Sequence, residues 1–233
     1  MTAKKAIQAL IATVVLCLCT SVSHAEDIKL FLMGGGSTIV DKSSFTQRNV
    51  DYNTTYRRGG KAALGFEIPV TKLLGVEGAY SYGRDNLVLI NNADVPTVET
   101  GYGIRNHRIN GNAVLHSPTL FFGIRPYVTA GVEWDGYLPT SNAVAVAASY
   151  GFGEATSAKL QSTNLLGFNG GFGFELKVTP KFSVRLDARD HVTKSPTYQL
   201  PSAPTPASAA YWPITGSAQN LEYSLVILYH WRR

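Results

Sequence analysis

Residues 182–191 read Phe-Ser-Val-Arg-Leu-Asp-Ala-Arg-Asp-His. In an extended chain successive side chains take opposite faces, so Phe182, Val184, Leu186 and Ala188 share one face. Ser183, Arg185, Asp187, Arg189 and His191 share the other. A strand with one greasy face and one ionic face needs two different surroundings. A soluble sandwich meets that need with a core below and water above. An outer-membrane barrel meets it with lipid outside and an enclosed lumen inside. A one-residue slip would exchange the faces and hand Arg185, Asp187 and Arg189 to lipid, where a midplane Arg costs roughly 2–4 kcal/mol.

The same period of two recurs in seven more segments, near residues 27–34, 60–68, 73–83, 104–116, 125–135, 164–178 and 220–231. Each is about the length a tilted barrel strand requires, roughly 9–11 residues. The connections alternate. Long connections at 35–59, 84–103, 136–162 and 192–217, the first of them polar and the third rich in Ala and Ser, are separated by short ones at 69–72, from Ser117-Pro118 onward, and at 179–181. The last long stretch carries Pro196, Pro201, Pro204, Pro206 and Pro213 and cannot be an interior strand. Such asymmetry, with an even strand number, is that of a barrel with periplasmic turns and extracellular loops. Tyr80, Tyr82, Trp134, Tyr229 and Trp231 stand near strand ends, where they would form interfacial girdles. The predicted fold is all-β: an eight-stranded antiparallel transmembrane up-and-down β-barrel.

On this register the inward faces collect Lys29, Lys61, Arg108, Lys177, Arg185 and Arg189 against Glu67, Glu77, Glu133, Glu175, Asp187 and Glu222. An eight-stranded barrel is just wide enough for side chains to fill it. Unpaired buried charge is costly, so these groups are expected to pair into an ionic plug. Outside the barrel wall, Arg48, Arg57 and Arg58 in the first long loop are candidate contacts for anionic lipopolysaccharide heads.

The N-terminus bears on location. Lys4 and Lys5, an apolar run over residues 6–19 and the Ser23-His24-Ala25 end read as a signal peptide over residues 1–25, leaving a barrel domain over 26–233. Both cysteines, Cys17 and Cys19, fall in the signal segment. No thiol chemistry or disulfide is expected after cleavage. Charged residues make up 16% of the chain, below the ordinary roughly 25%. Of the formal charge of +5, two units belong to Lys4 and Lys5, and no long Lys/Arg run remains, so nucleic acid is not expected as a partner.

Signals of chemistry are sparse. His107, His116, His191 and His230 show no close ligand spacing for a metal. His191 and Thr193 share a strand face but do not form a nucleophile–base–orienter set. Neither catalytic residues nor a cofactor are expected.

The segments 60–68, 74–82, Arg125-Pro126-Tyr127-Val128-Thr129-Ala130-Gly131, 167–175, 184–193 and the last alternating strand carry a resemblance to the bacterial outer-membrane protein β-barrel domain family, small barrels akin to the membrane domain of OmpA. The piece from Leu186 to Thr193 looks like a recurrent penultimate strand in members from soil bacteria such as the Acidobacteria. The resemblance implies residence in the outer membrane, with outer-membrane lipid, lipopolysaccharide and the barrel-assembly machinery as partners. It implies a non-enzymatic structural or surface-interaction role. A narrow pore for small solutes and a lipid A-modifying enzyme are the alternatives. Family members usually end on an aromatic residue. Here Arg232 and Arg233 follow Trp231.

Overall fold

The computed structural model describes residues 27–40, 43–47, 50–91, 99–120, 122–142, 144, 161–199 and 216–231. The signal segment expected over 1–25 lies outside the described residues, as does Arg48. Nine strands occur among them: β1 (Ile28–Val40), β2 (Ser43–Gln47), β3 (Val50–Pro69), β4 (Leu74–Asn91), β5 (Glu99–His116), β6 (Ile124–Pro139), β7 (Thr163–Lys177), β8 (Phe182–Lys194) and β9 (Ser217–Trp231). From β3 to β9 each strand pairs antiparallel with the next, and β1 pairs with both β9 and β3. The ring is therefore closed with eight staves, as the alternation predicts. Closure removes the unpaired strand edges that a membrane cannot tolerate. The ninth strand, β2, lies outside the ring and pairs only with β3.

The tight connections share a local chemistry. Thr71 Oγ1 accepts the amides of Leu73 and Leu74 at 3.2 and 2.9 Å. Thr179 Oγ1 accepts those of Lys181 and Phe182 at 3.3 and 3.0 Å. Ser117 Oγ accepts the Thr119 amide at 3.2 Å. A side-chain oxygen that captures amides two and three residues on holds the chain in a turn and satisfies donors that leave the ladder.

Exposure decides which face meets lipid. Leu186 is 61% exposed while Arg185 is 1% exposed, on adjacent positions of β8. Leu32, Leu64, Leu166 and Phe168 are exposed on neighbouring staves too. A soluble protein does not carry an apolar belt around its whole circumference. Hydrocarbon is the solvent that suits it. Tyr80 and Tyr82 are exposed toward one end of the belt, and Phe182, Tyr229 and Trp231 toward the other.

The structure corrects the sequence reading in three places. Strands β3, β4 and β5 run well into the stretches 35–59 and 84–103, which residue order predicts as loops. Residue order there does not alternate, as in Leu87-Val88-Leu89-Ile90, so the pairing continues without the period of two that marks the staves. A β-bulge between Arg57 and Gly60 adds one residue to β3 opposite β4, at the rim where the ribbon leaves the barrel. Second, part of the inner wall is apolar: Phe31, Met33, Ala63, Val226 and Leu228 form one buried cluster on β1, β3 and β9. The Phe31 ring fills the space that a side chain at Gly65 would occupy. Third, Lys177 is not in the lumen. It is exposed at the last residue of β7, two positions past buried Glu175. The enclosed section ends before it.

Candidate functional site

The inward side chains of β1 and β3–β9 build two linked ion clusters. In the half nearer the tight turns, Lys29 Nζ lies 3.2 Å from Glu67 and 3.0 Å from Glu175. Arg185 reaches the same two carboxylates: Nη2 pairs with Glu67, and Nε and Nη2 donate to Glu175 Oε2 at 2.9 and 2.7 Å. His116 Nε2 stands 2.9 Å from Glu67 Oε1. The Arg185 guanidinium also lies over the Tyr127 ring, 4.7 Å from its centroid, where the π-face attracts a cation.

Glu77 joins this cluster to the next charge. Its carboxylate is 3.7 Å from Arg185 and receives both Nη atoms of Arg189 at 2.6 and 3.1 Å. Arg189 also donates to Asp187 at 2.6 and 2.9 Å, and Asn112 donates to Glu77 at 3.0 Å.

In the half nearer the long loops, Lys61 meets Glu222 at 2.9 Å. Arg108 meets Asp135 at 2.7 Å, Glu222 at 3.3 Å and Glu133 at 3.8 Å. His191 Nδ1 lies 2.5 Å from Glu133 Oε2. Ser37 donates to Asp85 at 3.1 Å. Partners come from strands far apart in sequence because a barrel wall turns every inward side chain toward the same axis.

Of the residues that the alternation places in the lumen, Glu67, Glu77, Arg108, Glu133, Glu175, Arg185, Asp187, Arg189 and Glu222 are buried together, and Lys177 is the one left outside. Asp85 and Asp135 are buried among them and escaped the sequence reading. Asp85 stands in a stretch expected as loop. Asp135 is the last residue of the strand that the alternation predicts over 125–135. The expected one-to-one balance therefore does not hold. Among the described residues eight carboxylates are buried (Glu67, Glu77, Asp85, Glu133, Asp135, Glu175, Asp187 and Glu222) with five Lys and Arg (Lys29, Lys61, Arg108, Arg185 and Arg189). Ser37, Asn112, His116 and His191 supply neutral or titratable partners for the surplus. Arg57 lies opposite Asn86 in the β3–β4 ladder, and Arg58 falls at the bulge; their side chains lie outside the described residues.

The packed charges leave little room. The void between Phe31, Glu77, Arg108, Arg185 and Arg189 has a volume of about 10 Å³. That is about the least that holds one water, far from a solvent column. Glycines let the large side chains in. A Cβ at Gly171 would fall 2.8 Å from Arg189 Cγ, and one at Gly173 2.4 Å from the Tyr127 hydroxyl. At the turn end the lumen opens into a vestibule of about 560 Å³ beside Asp27, Lys29, Glu175, Lys177 and His230.

Behind the vestibule wall, His230 makes a pairing that sequence spacing did not suggest, Ser183 Oγ to His230 Nε2 at 2.7 Å. It joins residues 47 apart in the chain. A serine nucleophile must reach its substrate. Ser183 has no exposed surface, and its hydroxyl ties β8 to β9. His191, which shares a face with Thr193, is engaged by Glu133.

A closed antiparallel barrel with an apolar belt, tight turns at one end and an ionic interior defines an integral outer-membrane β-barrel protein. A family model described as outer membrane protein beta-barrel domain matches residues 10–220, and the chain belongs to that family. Among solved structures it is similar to the outer membrane protein OprG from Pseudomonas aeruginosa, at 12% identity and a TM-score of 0.57, covering 89% of this chain and 98% of that one. It is also similar to Neisserial surface protein A (NspA), at 10% identity and a TM-score of 0.52, covering 90% of this chain and all of that one. At such identities the likeness is one of fold. No curated protein sequence matches the chain.

Proposed function

We propose that this outer-membrane barrel is a non-enzymatic, non-conducting wall element that works at the cell surface through the structures at its long-loop end. The observation that carries the reading is the ionic plug: at mid-barrel the void between Glu77, Arg108, Arg185 and Arg189 is about 10 Å³, which offers no path for a solute there. Opening it would require separating buried ion pairs, each costly to break. Strands β3, β4 and β5 support the surface role. They extend past the belt as a paired ribbon, and β2 adds to it. Loops on a rigid scaffold are where recognition residues concentrate.

Two measurements test the proposal. Purified protein in planar bilayers should give no steady conductance, and reproducible unitary steps would overturn the non-conducting reading. An epitope tag placed within residues 92–98 should be labelled on intact cells. Labelling only after permeabilisation would mean that the ribbon faces the periplasm, and the surface role would fall.

A further inference from the structure

The outer wall carries a basic patch that no lumenal role explains. Arg84 of β4 and Arg105 of β5 are direct cross-strand partners, both exposed on the outward face. Like charges opposed in this way repel. Among the described residues neither has a carboxylate partner. Asp85, next to Arg84 in sequence, points inward to Ser37.

The Arg84 guanidinium and the Thr140 side chain cover buried Gly103, their Nη2 and Oγ1 atoms 3.4 and 3.1 Å from where a Cβ would stand. Arg84 faces Gly60 on its other side. One step toward the membrane, Tyr82 pairs with His107, their rings edge to face at 5.1 Å, and the Tyr80 hydroxyl lies 2.7 Å from His107 Nδ1. The Trp134 ring covers Gly136 beside them.

Height places the pair at the lipid headgroups. From Leu74 to Tyr82 the outward face of β4 holds Leu74, Val76, Gly78, Tyr80 and Tyr82. At about 3.3 Å per residue and a tilt of about 40°, those eight steps rise about 20 Å, and Arg84 stands about 5 Å higher, at the top of an apolar band about 25 Å tall. Tyr and Trp below and cations above is the arrangement of a membrane–water boundary. The end concerned is that of the long loops, hence the outer leaflet.

We propose that Arg84 and Arg105 together hold the phosphate monoester of an outer-leaflet lipid headgroup, with Tyr80, Tyr82 and Trp134 beside the lipid's upper acyl region. Two guanidinium forks match phosphate geometry and remove their own repulsion by sharing an anion. Gly60, exposed and with nothing within 4 Å of where a Cβ would stand, leaves the wall beside Arg84 open to the headgroup. Arg57 and Arg58 lie on the adjacent strand at the same rim.

The test uses the full folded chain in neutral maltoside micelles. The probes are bis-phosphorylated lipid A, the same lipid with its phosphates removed, and millimolar inorganic phosphate, with retained lipid measured by native mass spectrometry. Wild type should prefer the phosphorylated lipid by at least ~10-fold, and R84S/R105S should lose that preference. K181S, at the opposite membrane face, should keep it. Heat-modifiable gel migration reports that each variant is folded. If R84S/R105S does not fold, the wild-type comparison of the two lipids still decides. Equal retention of both lipids, unchanged retention by folded R84S/R105S, or complete displacement by inorganic phosphate would overturn the assignment.

Discussion

Replacing Arg185 by Met tests the ionic plug most directly, because it removes a charge while keeping most of the side-chain stem. Arg185 donates twice to Glu175, pairs with Glu67, stands 3.7 Å from Glu77 and caps the Tyr127 ring. Its loss leaves three buried carboxylates, Glu67 and Glu77 enclosed and Glu175 at the edge of the vestibule, with less cation around them. They are not wholly abandoned. Lys29 still serves Glu67 and Glu175 at 3.2 and 3.0 Å, and Arg189 still holds Glu77 at 2.6 Å. Breaking a buried pair by removing one partner costs roughly 3–5 kcal/mol, and the remaining cations put this case near ~3 kcal/mol. An exposed pair would lose at most about 1 kcal/mol, so the two situations are separable. Urea titration of the refolded protein in lipid vesicles, followed by gel migration and tryptophan fluorescence, measures the difference. The loss should persist at high salt, since the site is shielded from counterions. R185M/E175Q should be at least about 1 kcal/mol better than the sum of its two single changes, because it removes the stranded charge along with its partner. If R185M alone shifted stability by less than about 1 kcal/mol, the plug would not be acting as a mutually dependent network.

Three further substitutions probe the wall, the apolar sector and the glycines. Leu186→Arg, at a position 61% exposed to lipid, should cost roughly 2–4 kcal/mol in the same titration, and a neutral result would place that face elsewhere than in hydrocarbon. Leu228→Ala, at a fully buried inward position beside Phe31 and Met33, should cost about 2–5 kcal/mol and leave gel migration heat-modifiable. Gly171→Val would put a Cβ 2.4 Å from the Ala188 carbonyl oxygen and 2.8 Å from Arg189 Cγ, so it should destabilise by at least ~1–3 kcal/mol and lower the refolded fraction on gels.

The pleat of a strand sends neighbours to opposite faces, so residue order alone assigned Arg185, Asp187 and Arg189 to one environment and Leu186 to the other. Alternating long and tight connections then ordered the staves around a ring. Both arguments are local and needed no coordinates. Which charge meets which is a different kind of fact. Lys61 finds Glu222 across 161 positions and Lys29 finds Glu175 across 146, since inward side chains converge on an axis whose geometry depends on how the ring closes. Ends of strands are equally invisible in sequence. Asp135 is enclosed and Lys177 is free because the belt starts and stops at heights set by tilt and stagger. The Arg84–Arg105 pair lay hidden for the same reason. Above the hydrocarbon the period of two breaks down, as in the unbroken apolar run from Leu87 to Ile90, and only the closed barrel shows Arg84 and Arg105 as neighbours on the outer wall.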